Sequence, residues 1–281
     1  DIDINTFNIC ERELEKKLRI ASKNKSLPKL LVITDFAGLP SSNKKIFQLS
    51  RKYGFKIIQD ASHSIGAKYN GNYIGNCKYS DLTVFSFHPV KIITTGEGGM
   101  ITTNNYKIAK KLKILRSGGV FRDQNKTKNE GWFYEQIELG YNFRLTDFQS
   151  SLGISQLKNI KKFIIKRKKI ANFYREKLKN LPISFQTESK NSYSSYHLFV
   201  IRLLKKNRKD LFNYLLNKGI KTNVHYIPVH THPYMKKLGF KKNQFPISEK
   251  YYSECISLPI FPNLSIRNQN KIVNLIKSFF N

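Results

Sequence analysis

Acidic residues are scarce in this chain of 281 residues: 19 Asp and Glu stand against 50 Lys and Arg, for a formal charge of +31. A field of that size attracts polyanions. The basic residues, however, are spread along the whole chain, as in Lys44 and Lys45, Lys110 and Lys111, and Lys241 and Lys242. Nucleic-acid binders concentrate charge on one face or interleave it with stacking aromatics. The scatter therefore reflects a lysine-rich proteome, and no nucleic-acid partner is expected. Cysteine is also rare. Cys10, Cys77 and Cys255 are odd in number and widely spaced, which excludes a disulfide scaffold and a Cys-x-x-Cys metal or redox site. No apolar run approaches the roughly 18 residues of a membrane span, and the opening Asp-Ile-Asp-Ile-Asn has neither the basic head nor the apolar core of a signal peptide. A reduced, cytoplasmic protein without membrane contact is expected.

What is present is enough for a large core. Hydrophobic residues make up 40% and aromatics 13% of the chain, so disorder is excluded, and one large plus one small domain is a natural division at this length. The spacing predicts a strand-like start at Asp1–Ile4, a helix over 11–21, a strand over 30–34 and a helix capped by Ser41 or Ser42 that stops at Gly54. A strand over 55–58 then ends near Asp60. Asn70-Gly71 signals a hairpin turn, 82–87 a strand, 100–103 its return and 106–115 a helix. Residues 118–136 are polar and aperiodic and read as a long mobile loop. Thr146 and Gln149 form a capping box for one long connecting helix to about Leu178. Beyond it come a strand over 199–203, a helix over 208–217, a strand over 220–226 and a last helix capped by Ser265.

The chemistry-bearing residues gather at strand ends. Lys91 follows an apolar β-like run just before a Thr/Gly-rich turn, and Asp60 closes another such run, so two strands can deliver both to one edge of an open α/β sheet. A lysine after a strand is most often a solvated charge. A lysine and a carboxylate that converge, however, suit a Schiff base to pyridoxal phosphate, with the acid keeping the pyridine nitrogen protonated. The histidines His225, His230 and His232 sit close together, but no Cys, Asp or Glu completes a ligand set, so no metal is expected.

The strings Asp60-Ala61-Ser62-His63, Ser86-Phe87-His88-Pro89-Val90-Lys91 and Gly96-Glu97-Gly98-Gly99 resemble the DegT/StrS family of pyridoxal-phosphate-dependent sugar aminotransferases. The likeness is closest to the branch that makes the 4-amino-sugar precursor of pseudaminic acid. Gly140 to Asp147 and His225 to His230 continue the match in order, so it covers essentially the whole chain. The resemblance implies an α/β, fold-type-I transferase with a large domain built on a mixed sheet (1–170) and a small C-terminal α/β domain (171–281). It implies Lys91 as the catalytic lysine, with Asp60 at the cofactor's ring nitrogen, His63 at its phenolic oxygen and Ser86 at its phosphate. Asn142 would reach across a homodimer interface to the partner's phosphate, so that active sites are shared. His225, Tyr226 and His230 would line the substrate side, while His88 stays unassigned. The implied substrates are glutamate and a nucleotide-linked 4-keto-6-deoxy sugar. The resemblance also implies roughly a hundred further residues ahead of Asp1, carrying another phosphate-binding turn and an aromatic that stacks on the cofactor. Three other readings stand beside this one. A truncated, non-catalytic member of the family would lack that segment, and a related dehydratase would commonly carry histidine where Lys91 stands. A basic nucleic-acid-binding module would need the charge to be concentrated.

Overall fold

The computed structural model describes residues 1–281, the side chain of Gln124 excepted. In chain order the elements are α1 (Glu11–Lys23), β1 (Leu30–Thr34), a 3-10 turn (Phe36–Gly38), α2 (Asn43–Tyr53), β2 (Lys56–Asp60), β3 (Lys68–Tyr69), β4 (Asn72–Tyr73), β5 (Leu82–Ser86), β6 (Gly99–Thr102) and α3 (Tyr106–Arg116). There follow β7 (Val120–Phe121), α4 (Gln124–Asn129), β8 (Glu135–Gln136), α5 (Asp147–Lys158), α6 (Ile160–Leu178), β9 (Ile183–Phe185), β10 (Ser192–Tyr193), β11 (Phe199–Leu203) and α7 (Arg208–Asn217). A second 3-10 turn (Val229–Thr231), α8 (Pro233–Lys237), α9 (Pro246–Glu254), β12 (Cys255–Leu258) and α10 (Ile266–Phe280) complete the chain.

The first sheet runs β1-β2-β5-β6, the first three strands parallel and β6 antiparallel, so the sheet is mixed, as expected. Helices α1 and α2 cover one face through Leu18, Ile33, Ile46, Phe55 and Ile57. At about 1.5–3 kcal/mol for each fully buried large apolar side chain, that seam is a major reason why the parallel strands hold their register. The C-terminal sheet, β12-β11-β9, is antiparallel and packs on α6, α7 and α10 through Ile201, Leu211, Leu215, Ile256, Ile272 and Ile276. Helix α6 serves both cores: Ile164 packs with Phe85 and Ile93, whereas Ile170, Tyr174 and Leu178 face the C-terminal sheet.

The hairpin at Asn70-Gly71 forms with both turn residues at positive φ (48° and 78°), the conformation that an Asn-Gly turn favours. The Thr146–Gln149 capping box and the Ser265 cap also form. Five local expectations are corrected. The chain start makes a single bridge, Ile2 to Ile9, because Phe7 N–H closes a turn onto the Asp3 carbonyl. Ser42 occupies the N-cap of α2 without a side-chain bond, while Ser41 Oγ turns back to donate to the Thr34 carbonyl. Residues 118–136 are not one loop but a β7–β8 ladder enclosing α4, whose first turn is capped by Asp123. These pieces are too short to show a period. The predicted connecting helix is two helices, broken at Asn159, whose Nδ2 donates to the Ser155 carbonyl. Residues 220–226 pair only at Asn223–Ser257, since Val224 N–H bonds the Asn223 side chain and the His225 carbonyl is taken by Tyr251 Oη–H. A ladder cannot extend once its backbone partners are occupied.

Candidate active site

Strands β2 and β5 are parallel neighbours, with Asp60 opposite Val84, so both carboxyl ends reach the same edge. In β2, Ile57 and Gln59 are buried while Ile58 and Asp60 are half-buried; in β5, Thr83 and Phe85 are buried while Val84 and Ser86 are half-buried. Strand alternation thus puts Asp60 and Ser86 on one face. After Ser86 the chain turns: Phe87 N–H bonds the Gly98 carbonyl, and the Phe87 carbonyl accepts both Thr95 N–H and Thr94 Oγ1–H. That turn holds Lys91 half-buried at the end of β5. Burial lowers the Lys91 amine below its ordinary pKa, and the Asp60 charge opposes the shift. The Asp60 carboxylate itself accepts Ser62 N–H at 3.0 Å.

Around this pair stand three imidazoles. His63, in the turn after β2, is 7% exposed, and its Nδ1 accepts the Ala37 N–H at 3.3 Å. Burial, followed by the Lys91 charge, lowers it to about 3. His225 places Nδ1 2.8 Å from Ser257 Oγ and is lowered by burial and then by Lys91. His197, ahead of β11, is lowered to about 2 by burial, then by His63 and Lys91. Its ring centroid lies 4.4 Å from that of His63. Tyr226 stacks 6.4 Å from His63, and its phenol is raised by burial and then by the Asp60 charge.

The fold therefore brings Lys91, Asp60, His63, His225 and Tyr226 together, with Ser86 on the Asp60 face. It takes two others elsewhere. His230 is buried with Nε2 2.9 Å from Glu249 Oε1 of α9, edge-on to Phe245, so its ring is committed to holding the second 3-10 turn. Asn142 is exposed beyond β8, and its Oδ1 accepts Arg144 Nε–H at 2.8 Å. His88 is exposed and turns toward Glu97, Nε2 to Oε1 3.7 Å.

Two buried groups were not anticipated. Asp35 is fully buried just after β1, where its carboxylate accepts Ser41 N–H (2.9 Å), Gln59 Nε2–H (2.8 Å) and Ser64 Oγ–H (2.8 Å). Desolvation nevertheless raises it to about 6. The other is His197. Asp35 bears the same relation to β1 as Asp60 does to β2, an acid closing an apolar strand, and that parallel was the available signal. His197 had no comparable mark.

The family model for DegT/DnrJ/EryC1/StrS aminotransferases matches residues 1–277. The chain belongs to that family. It is similar to UDP-4-amino-4,6-dideoxy-N-acetyl-beta-L-altrosamine transaminase of Campylobacter jejuni, 37% identical over 273 residues, covering 95% of this chain and 69% of the relative. Among solved structures it resembles PseC of Helicobacter pylori, an aminotransferase involved in pseudoaminic acid biosynthesis. There the TM-score is 0.89 at 31% identity, covering 98% of this chain and 71% of that one. The Streptococcus pneumoniae protein Spr1654, solved in PLP and PMP forms, gives TM-scores of 0.86 and 0.88 at 25% identity, covering 99% of this chain and 73% and 74% of those chains. The fold is the fold-type-I transferase fold expected from the sequence, and DegT/StrS aminotransferases are enzymes that use pyridoxal phosphate.

The residues present suit that cofactor. An amine depressed by burial, a carboxylate with one backbone donor among the described residues and a neutral imidazole meet at one sheet edge.

Proposed function

We propose that the chain moves an amino group from glutamate to C4 of a nucleotide-linked 4-keto-6-deoxy sugar, with pyridoxal phosphate as cofactor, in building a surface amino sugar. The observation that carries the reading is Lys91 half-buried beside Asp60 at the carboxyl edge of β2 and β5. Pyridoxal phosphate, when bound, supplies a carbonyl for covalent attachment and an electron-accepting ring. Lys91 Nζ would hold it covalently, and burial lowers that amine in the direction that a group taking and returning a proton requires. Asp60 would face the ring nitrogen, where its negative charge favours the protonated form. His63 would meet the phenolic oxygen, and Ser86 would donate its hydroxyl to the phosphate.

On the substrate side, His225 is oriented by Ser257, and Tyr226 is about half exposed at the mouth of the site. His230 acts there through Glu249, keeping the 225–230 segment in place. The sugar assignment is supported by similarity to the Campylobacter transaminase, and the surface-polysaccharide role also by similarity to the Bacillus subtilis spore coat polysaccharide biosynthesis protein SpsC, 30% identical over 286 residues.

The reading includes a homodimer with shared sites and domains at 1–170 and 171–281, working in a cytoplasm that keeps the three buried thiols reduced. Exposed large apolar side chains support the dimer: Trp132 (77%), Leu139 (90%), Phe143 (69%) and Phe148 (91%) flank Asn142 in the sequence. Apolar exposure on that scale marks an interaction surface. The test incubates the protein with pyridoxal phosphate, glutamate and a panel of nucleotide 4-keto sugars, with products read by mass. A gain of one amino group in place of the ketone oxygen, together with 2-oxoglutarate, is expected. Loss of the glutamate amino group without any aminated sugar would overturn the substrate assignment.

A further inference from the structure

Residues 194–197 form no helix or strand, yet Ser194, Ser195, Tyr196 and His197 are all buried (2%, 0%, 5% and 7% exposed). Polar groups stay buried only where they find partners, and here the partners come from three directions. Ser195 Oγ–H donates to the His63 carbonyl at 2.9 Å, and Ser195 N–H donates to the Gly38 carbonyl at 3.0 Å. Leu198 N–H donates to the Ala37 carbonyl. From α6, one terminal nitrogen of Arg167 donates to the carbonyls of Tyr196 and His197, each at 3.2 Å, and of Ile260 at 2.9 Å. The segment is thus strapped to the 36–38 turn, to the turn carrying His63 and to α6.

The product of this strapping is a fixed pair of rings. His197 lies with its centroid 4.4 Å from His63 at a tilt of 42°, and its own Nδ1 is buried with no hydrogen-bond partner among the described residues. On the other side of the pair, His63 Nδ1 accepts the Ala37 N–H. A neutral imidazole has one acceptor and one donor nitrogen, so with Nδ1 accepting, the ring proton must sit on Nε2.

We propose that His197 is a positioning residue for His63: its ring, on a backbone held by Arg167 and Ser195, locks the His63 imidazole onto the Ala37 N–H, so that His63 offers Nε2–H as its one donor to an anionic oxygen of the cofactor. The proposal rests on the cofactor contact assigned to His63 above. It makes the C-terminal unit, through the residues that lead into β11, responsible for the hydrogen-bonding state of a group on the first sheet. A ring packed at a tilt suits this task better than a hydrogen-bonding partner. It restricts ring rotation without competing for either nitrogen.

The test uses the whole chain labelled with 15N-histidine and reads the ring nitrogens of His63 by long-range proton–nitrogen correlation at pH 7, before any cofactor is added. His197→Phe, which keeps a ring and removes the nitrogens, should retain the Nε2–H pattern of His63. His197→Leu, which fills the space without a ring face, should shift both His63 nitrogens toward averaged values and weaken pyridoxal phosphate binding, followed by absorbance, roughly tenfold. Folding of both variants is checked by circular dichroism and by the unshifted nitrogens of His230. An unchanged His63 tautomer in a folded His197→Leu protein would overturn the proposal and leave His197 as packing. The cofactor contact is examined separately with His63→Leu. Undiminished pyridoxal phosphate binding there would refute the assigned contact, whatever the tautomer experiment shows.

Discussion

Ser64 Oγ donates a 2.8 Å hydrogen bond to Asp35 Oδ2, joining the end of β1 to the turn that follows β2. Gln59 reaches the same oxygen from within β2, and Ser41 N–H occupies the other. One fully buried carboxylate therefore holds three segments that frame the site, including the turn that carries His63.

Removing it should be costly. Asp35→Ala leaves three donors without their acceptor, and at about 1–3 kcal/mol for each buried unsatisfied group a loss of several kcal/mol in urea unfolding is expected. The penalty should depend on pH in a defined direction. The folded carboxyl is raised to about 6 from its ordinary 3.8, so its contribution is fully present below pH 3.8 and is lost as pH rises through 6. Asp35→Asn should therefore destabilise less at pH 7 than at pH 4, by about 2 kcal/mol. A penalty independent of pH would show that Asp35 ionises in the fold as it does in the open chain.

The two packed histidines, His63 and His197, act in the opposite sense. Both are lowered in the fold, His63 to about 3 and His197 to about 2, so the stability they contribute is present above pH 6.5 and lost as pH falls toward those values. Each should add about 1.4 kcal/mol per pH unit to the slope of stability between pH 5 and 6. In His197→Phe that slope should drop by one proton's worth, measured by denaturant titrations at closely spaced pH. An unaltered slope would place the His197 titration elsewhere.

Lys91→Ala should abolish the cofactor attachment that borohydride makes permanent, while circular dichroism stays unchanged. Attachment that survives would identify another of the many lysines as the anchor. Asp60→Asn should still take up cofactor but lose most turnover, at least a hundredfold, because the ring-nitrogen charge matters more to the reaction than to binding. Near-normal turnover would remove Asp60 from that role.

Asn142 permits a test of the shared site. A mixed dimer of Lys91→Ala and Asn142→Ala chains carries both lesions in one site and none in the other if Asn142 serves the neighbouring subunit. Activity should then recover above both parents, to about half the sites of the mixed dimers. Proven subunit exchange without recovery would show that Asn142 serves its own chain or neither.

Much of this architecture was legible in the residues, because the signals were local. Asp60 closes one apolar strand and Lys91 lies in the turn after another, Asn70-Gly71 can adopt the positive φ that its turn needs, and Thr146 with Gln149 caps a helix from within four residues. Strand direction, strand ends and caps depend on short-range sterics and hydrogen bonds, which neighbouring residues carry with them. What the sequence by itself determined was therefore the mixed sheet's edge and the residues that stand along it. The tertiary structure alone decided which side chains meet there and which are drawn away. His230 lies in the motif but is taken by Glu249, nineteen residues on. The strand expected over 220–226 fails because Tyr251 captures its backbone. Asp35 carried only the mark of an acid after an apolar strand, and His197 carried none; their roles come from burial, which raises one and lowers the other by removing water, and burial is a property of the packed chain.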